Sequence, residues 1–186
     1  MSGPGEELSP LDQVPGDLMM WVLIISELLV FGAGLAAFLG VRITDPAGFA
    51  ADQDLLDRTA AGINTLVLVT SGYLAARAVR TAEAGQTRAT RALLAGASVL
   101  GLVFLAIKGA EYAAKIRLGI GIETDAFFTF YYLLTGFHAA HVIAGIVILG
   151  LVGIRCAPRA VEVGAAFWHM VDLVWVLLFP VLYLLR

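Results

Sequence analysis

Long apolar stretches separated by short polar ones set the pattern of this chain. A bilayer core of about 30 Å needs roughly 20 apolar residues of helix. Five stretches meet that requirement, over about 18–41, 59–79, 92–115, 126–154 and 163–185. The polar breaks between them are DPAGFAADQDLLDR, RTAEAGQTRATR, KIRLGIGIETD and RCAPRAVE, each too short to hold a domain of its own. The pattern predicts an all-α integral membrane protein, a five-helix transmembrane bundle forming a single domain over 18–186. The first 17 residues, MSGPGEELSPLDQVPGD, are acidic, rich in Gly and Pro and without the basic start of a signal peptide. They read as a flexible tail.

Composition removes the main rival. A soluble domain is about 45–50% apolar and roughly 25% charged. Here the fractions are 60% and 15%, a surplus that a chain of 186 residues cannot hide in a core. The net charge of −3 gives no basic footprint, so nucleic acid is not expected as a partner. Cys156 is the single cysteine. It can form no internal disulfide and reads as incidental.

Five spans place the termini on opposite sides. Arg77, Arg80, Arg88, Arg91, Arg155 and Arg159 fall on the side of the N-terminus, four of them in one short loop. Arg42, Arg58, Lys115, Arg117 and Arg186 fall on the other. Lys and Arg near span ends favour the cytoplasm, so the N-terminus is expected inside and the C-terminus outside. Small residues recur every fourth position at Gly32, Ala36 and Gly40, and again at Gly136, Ala140 and Ala144. Such faces let helices approach closely. They are read first as packing within the bundle, and alternatively as contact with a partner subunit. Trp21, Phe127, Phe128, Phe130, Tyr131, Tyr132 and Tyr183 are expected in an interfacial belt, with Trp175 deeper as a packing residue.

Ionisable groups inside a span are expensive and tend to face protein or water. Here they are Glu27, Lys108, Glu111, His138, His141, His169 and Asp172. At about 1.5 Å per residue, Glu27 and His141 both fall near mid-depth and are expected to approach each other. Lys108 and Glu111, like His169 and Asp172, are i, i+3 neighbours that can pair on one helix face. Three readings stay open on these residues alone. His138 and His141 share a helix face and could bind one metal ion, though no Glu-x-x-His pair of the di-iron type is present. Glu27 and His141 could relay protons, though the second span offers only Asn64, Thr65, Thr70, Ser71 and Tyr73. Or the polar groups hold the bundle together and meet lipid headgroups.

The motifs GDLMMWVLIISELLVFG (16–32), INTLVLVTSGY (63–73), KGAEYAAKI (108–116), FYYLLTGFHAAHVIAG (130–145) and FWHMVDLVWVLLFPVLY (167–183) run in order along the chain. Together they resemble the haem-copper cytochrome c oxidase subunit III superfamily. The resemblance implies a subunit III-like bundle lacking the first two helices of the seven-helix form. Five-helix versions include oxidase subunits and the accessory protein of nitric oxide reductase, and the compact ending resembles the latter branch. The family implies a non-redox component of a haem-copper terminal oxidase in the bacterial inner membrane. It binds no haem or copper itself, those being in partner subunits. It packs on subunit I (with II), or on nitric oxide reductase subunits in the alternative, holds structural phospholipid and supports proton uptake. No catalytic residue and no metal ligand is implied. By the same resemblance, Glu27 matches the family's buried membrane glutamate, and His138 and His141 its paired histidines. Lys108, Glu111, Tyr112, Trp168, His169 and Asp172 match positions making structural polar or lipid contacts. A rival of another class is a free-standing membrane transporter.

Overall fold

The computed structural model describes residues 18–185, so the expected flexible tail over 1–17 lies outside the described residues, as does Arg186. Six α-helices follow in order: α1 (Leu18–Arg42), α2 (Pro46–Asp54), α3 (Arg58–Glu83), α4 (Thr87–Arg117), α5 (Ala126–Arg155) and α6 (Pro158–Phe179). The last runs into a π-helical turn, Pro180–Leu184. Among the described residues there is no strand. Five helices are long and apolar enough to cross a membrane: α1, α3, α4, α5, and α6 with its π-turn.

Local chemistry explains where these helices start. Asp57 accepts from Ala60 N at 2.9 Å and Asp125 from Phe128 N at 2.8 Å, so each supplies an acceptor to an otherwise orphaned N–H. Pro158 sits at the first position of α6, where its missing N–H is harmless. Helices α3, α4 and α6 extend past their apolar stretches. The break expected between 79 and 92 shrinks to the turn at Ala84–Gln86, with Gly85 at φ 71°. Its Ala, Thr and Arg residues are compatible with helix, and long arginine side chains can reach water from a helix end.

Helix α2 lies where a plain break is expected. Asp45 followed by Pro46 is a helix-start signal, and the Asp45 side chain accepts from Gly48 N at 3.0 Å. Phe49 and Gln53, one turn apart, are buried. Phe49 meets Phe38 and Phe127 at ring-centroid distances of 5.4 and 5.7 Å. Gln53 Nε2 donates to the Leu182 carbonyl at 2.9 Å in the π-turn.

Helices α3, α4, α5 and α6 close a four-membered ring. Helix α3 packs on α4 and α6, and α5 packs on the same two from the other side. Trp168 of α6 is the hub of this ring. It is fully buried and donates from Nε1 to Ser71 Oγ of α3 at 3.0 Å. A Cβ added at Gly101 of α4 or Gly145 of α5 would lie 2.7 or 2.5 Å from its ring. The indole thus fills a slot that two glycines keep open.

Helix α1 packs outside the ring on α5 and α6, burying only Phe31 and Phe38 fully. Its close approach uses Gly34, where a Cβ would meet Leu134 at 2.7 Å. The face of Gly32, Ala36 and Gly40 is exposed, as are Ala140 and Ala144. Packing of these small-residue faces within the bundle is therefore not what the fold uses. The aromatic belt needs a second correction. Phe127, Phe128, Tyr131 and Tyr183 are buried, because helices α2, α4 and α6 with its π-turn turn them into an internal cluster.

Candidate functional site

Lys108 on α4 is a buried cation. Its Nζ lies 2.9 Å from Glu111 Oε2, one turn along the same helix, and donates to Tyr131 OH at 3.1 Å and Tyr183 OH at 2.8 Å. An ammonium has three protons to donate, and these partners use all of them. Tyr183 OH donates to Glu111 Oε1 at 3.0 Å. The ammonium also lies 4.8–5.5 Å from the ring centroids of Tyr112, Tyr131, Trp175 and Tyr183, within reach of cation–π attraction. The Lys108 and Glu111 side chains are 3% and 9% exposed. The π-turn, in which Leu185 N bonds back to Pro180 O at 2.8 Å, carries Tyr183 into this cage. Tyr112 OH bonds Thr135 Oγ1. In this fold these side chains turn toward one another, Lys108 buried and Glu111 and Tyr112 partly so.

The second pair joins α1 to α5. His141 Nε2 is 3.1 Å from Glu27 Oε2, with side chains 15% and 25% exposed. On the other side of the ring, His141 Nδ1 lies 2.9 Å from the Phe137 carbonyl oxygen. A carbonyl only accepts, so Nδ1 carries a proton. The contact across Nε2 and Oε2 is one of proximity between α1 and α5, since Glu27 Oε2 has no hydrogen-bond partner among the described residues. Phe31 and Phe137 pack edge-on to the ring at 5.5 and 4.6 Å.

His138, one turn before His141 on α5, does not join that pair. It is fully buried, and neither ring nitrogen has a hydrogen-bond partner. Its ring stacks on Trp175 at 5.2 Å and meets Phe104 edge-on at 5.5 Å. His169 Nδ1 and Asp172 Oδ2 are 3.8 Å apart on α6. His169 is exposed beside Arg80, Glu83 and Glu162 in a groove between α3 and α6. Asp172 is buried where Gly72 leaves room for its carboxylate. Among the described residues, no three His, Cys, Asp or Glu side chains converge as metal ligands.

The polar residues thus sort into an enclosed cage, a pair between α1 and α5 and a dyad beside the groove between α3 and α6. Known proteins show the same chain pattern. The family model for cytochrome c oxidase subunit III matches residues 16–186. The chain belongs to the cytochrome c oxidase subunit III family. Cytochrome c oxidase subunit 3 of Thermostichus vulcanus is 33% identical over 181 residues, covering 90% of this chain and 86% of that one. Cytochrome c oxidase subunit 3 of Corynebacterium diphtheriae is 30% identical over 176 residues, covering 89% and 86%. The heme-copper oxidase subunit I+III of Aeropyrum pernix is 28% identical over 180 residues, covering 89% of this chain and 22% of the relative. This subunit III is a multi-pass membrane protein and a subunit III-type oxidase component.

Sequence reasoning placed Lys108 and Glu111 as a pair but assigned Tyr131 and Tyr183 to the membrane interface. The available signal was the buried pair itself. A lysine in a span needs three acceptors, and hydroxyls within reach on other helices are the natural supply. Gln53 was missed because it lies in a segment read as a break.

Proposed function

We propose that this subunit III is a non-redox component of a haem-copper terminal oxidase in a bacterial inner membrane. Haem and copper belong to the partner subunits. Its N-terminus is cytoplasmic, with the Arg77–Arg91 end of α3 and α4 on the inner side. It packs against subunit I, with subunit II in the same complex, retains structural phospholipid and supports proton uptake by the catalytic subunit. The observation that carries this reading is the contrast between the closed ring and α1. The ring helices pack against one another, whereas α1 turns Glu27 toward His141 and leaves its Gly32–Ala36–Gly40 face uncovered on the opposite side. A small-residue face offers close approach to another helix. The fused subunit I+III relative carries both subunits in one chain, which favours their adjacency here.

The test is co-purification from native membranes in mild detergent, with reduced-minus-oxidised spectra and identification of the accompanying subunits. Oxidase subunits I and II with a haem a spectrum are the expected result. Nitric oxide reductase subunits with haems b and c would move the chain to that complex. A colourless, partnerless chain, under conditions that keep a known oxidase intact, would overturn the reading in favour of a free-standing transporter.

A further inference from the structure

Each helix of the ring contributes one residue to a layer at its centre. These are Asn64 of α3, Phe104 of α4, His138 of α5 and Trp175 of α6, all fully buried. Asn64 Nδ2 donates to the Phe104 carbonyl at 3.3 Å. The Phe104 ring meets Trp175 at 4.8 Å and His138 at 5.5 Å, and Trp175 Nε1 donates to Thr65 Oγ1, next to Asn64, at 2.9 Å. Three polar atoms of this layer have no protein partner: Asn64 Oδ1 and both ring nitrogens of His138.

The neighbouring polar groups cannot fill the gap. Lys108 spends its three protons on Glu111, Tyr131 and Tyr183. His141 has one nitrogen on the Phe137 carbonyl and the other against Glu27. A buried polar atom left unpaired costs about 1–3 kcal/mol, and three in one layer would be a heavy load on one fold. Buried waters satisfy such groups when two to four polar partners converge. The layer supplies donors and acceptors in the right mixture. A neutral imidazole has one N–H and one lone pair, and the Asn64 oxygen accepts.

We propose that this layer is an internal hydration site, in which water is held between His138 and Asn64 at the centre of the ring. A water there accepts from the imidazole N–H and donates to Asn64 Oδ1. The site lies between the Glu27–His141 pair and the Lys108 cage, so it adds the missing polar link between two ion pairs that have no direct contact. It is independent of which complex the subunit joins.

The test is radiolytic hydroxyl labelling read by mass spectrometry, on the full chain in discs formed from native membranes. Radicals made from a trapped water oxidise the residues around it whether or not bulk solvent reaches them. The control is Phe38, fully buried among Phe49, Phe127 and Phe130 in an all-aromatic setting. Phe104, of the same residue type and burial, should be oxidised at least several-fold faster than Phe38. Equal rates would overturn the site, and this comparison needs no variant to fold. A second measurement uses His138→Phe, which removes both nitrogens and keeps a planar ring. With water in the layer, the variant removes the water's donor and expels it, leaving Asn64 Oδ1 unpaired, so Tm falls by a few degrees and the excess labelling of Phe104 is lost. A rise in Tm, as expected when an unsatisfied histidine is removed from a dry core, would overturn the proposal.

Discussion

The two ion pairs of this subunit III are built from similar chemistry and do different jobs. Lys108 and Glu111 sit on one helix, are almost fully enclosed and bond to each other and to the hydroxyls of Tyr131 and Tyr183. Glu27 and His141 sit on two helices, at the seam between α1 and the ring, and keep a fraction of their surface open. The first pair brings α4, α5 and the π-turn into one cluster. The second ties on a helix that the ring does not need. Enclosure fixes the geometry of the first pair. Partial exposure leaves the second reachable from outside the chain.

The sharpest way to break this comparison is at the cage. Lys108→Met removes the cation and leaves the Glu111 carboxylate buried without its charge partner. Removing one member of a buried pair costs about 3–5 kcal/mol, so the single variant should be lost from membranes or melt far below the parent. Lys108→Met with Glu111→Gln removes both charges and should recover much of the loss, since Gln still accepts from Tyr183. Thermal stability of the detergent-solubilised chains checks this. A double variant as weak as the single one would mean that the cage is not held by charge balance.

The glycines give the next effect. Gly145→Ala places a methyl 2.5 Å from the Trp168 ring, an indole already pinned by Ser71 and Gly101. Overpacking of this kind costs about 1–3 kcal/mol, and melting of the purified chain should show it. Gly40→Ala, with nothing within 4 Å of the added Cβ, should leave the chain's own melting temperature unchanged. Loss of co-purifying subunits in Gly40→Ala alone would show that this face of α1 is covered in the complex. Loss in neither variant would remove the argument for α1 as the docking helix.

How much of this was legible in the sequence follows the same divide. The five spans, the i, i+3 pairing of Lys108 with Glu111 and the approach of Glu27 to His141 all rest on length, helical period and depth, which a one-dimensional pattern carries. The destination of Tyr131 and Tyr183 does not. An aromatic near a span end looks the same whether it meets headgroups or turns inward, and what turned these inward was α2 and the π-turn, neither of which has an apolar period. Gly32 and Gly40 misled for a related reason. A small-residue face announces close approach without naming the partner, whereas Gly34, the glycine that α5 approaches, lies off that face.

A smaller effect is expected at the open pair. Glu27→Ala removes one partner of a contact that is not fully enclosed, and exposed ion pairs contribute within about 1 kcal/mol. Assembly should persist. If the Glu27 carboxyl serves the catalytic subunit, the variant complex should lose activity sooner than the parent over a long turnover trace. Superimposable traces would reduce Glu27 to a helix tie and erase the functional half of the comparison.

The smallest effect tests whether a carboxylate with water at hand behaves as the open extreme of the series. Asp52 lies on α2, outside the spans. Partial burial, then the nearby Asp125 and Asp45 carboxylates, raise its pKa above the ordinary 3.8. Folding therefore disfavours its charge. Above the folded pKa the whole penalty is present. As pH falls through that value, the folded chain takes up the proton before the unfolded chain does, and the penalty is gone below 3.8. Asp52→Asn should then raise the melting temperature slightly at neutral pH and have no effect below the ordinary carboxylate range. Asp45 and Asp125 each accept a backbone N–H at a helix start, so replacing either should cost a helix cap and destabilise the chain. A stabilisation by Asp52→Asn that persisted unchanged into acid would mean that it comes from local helix preference and not from charge.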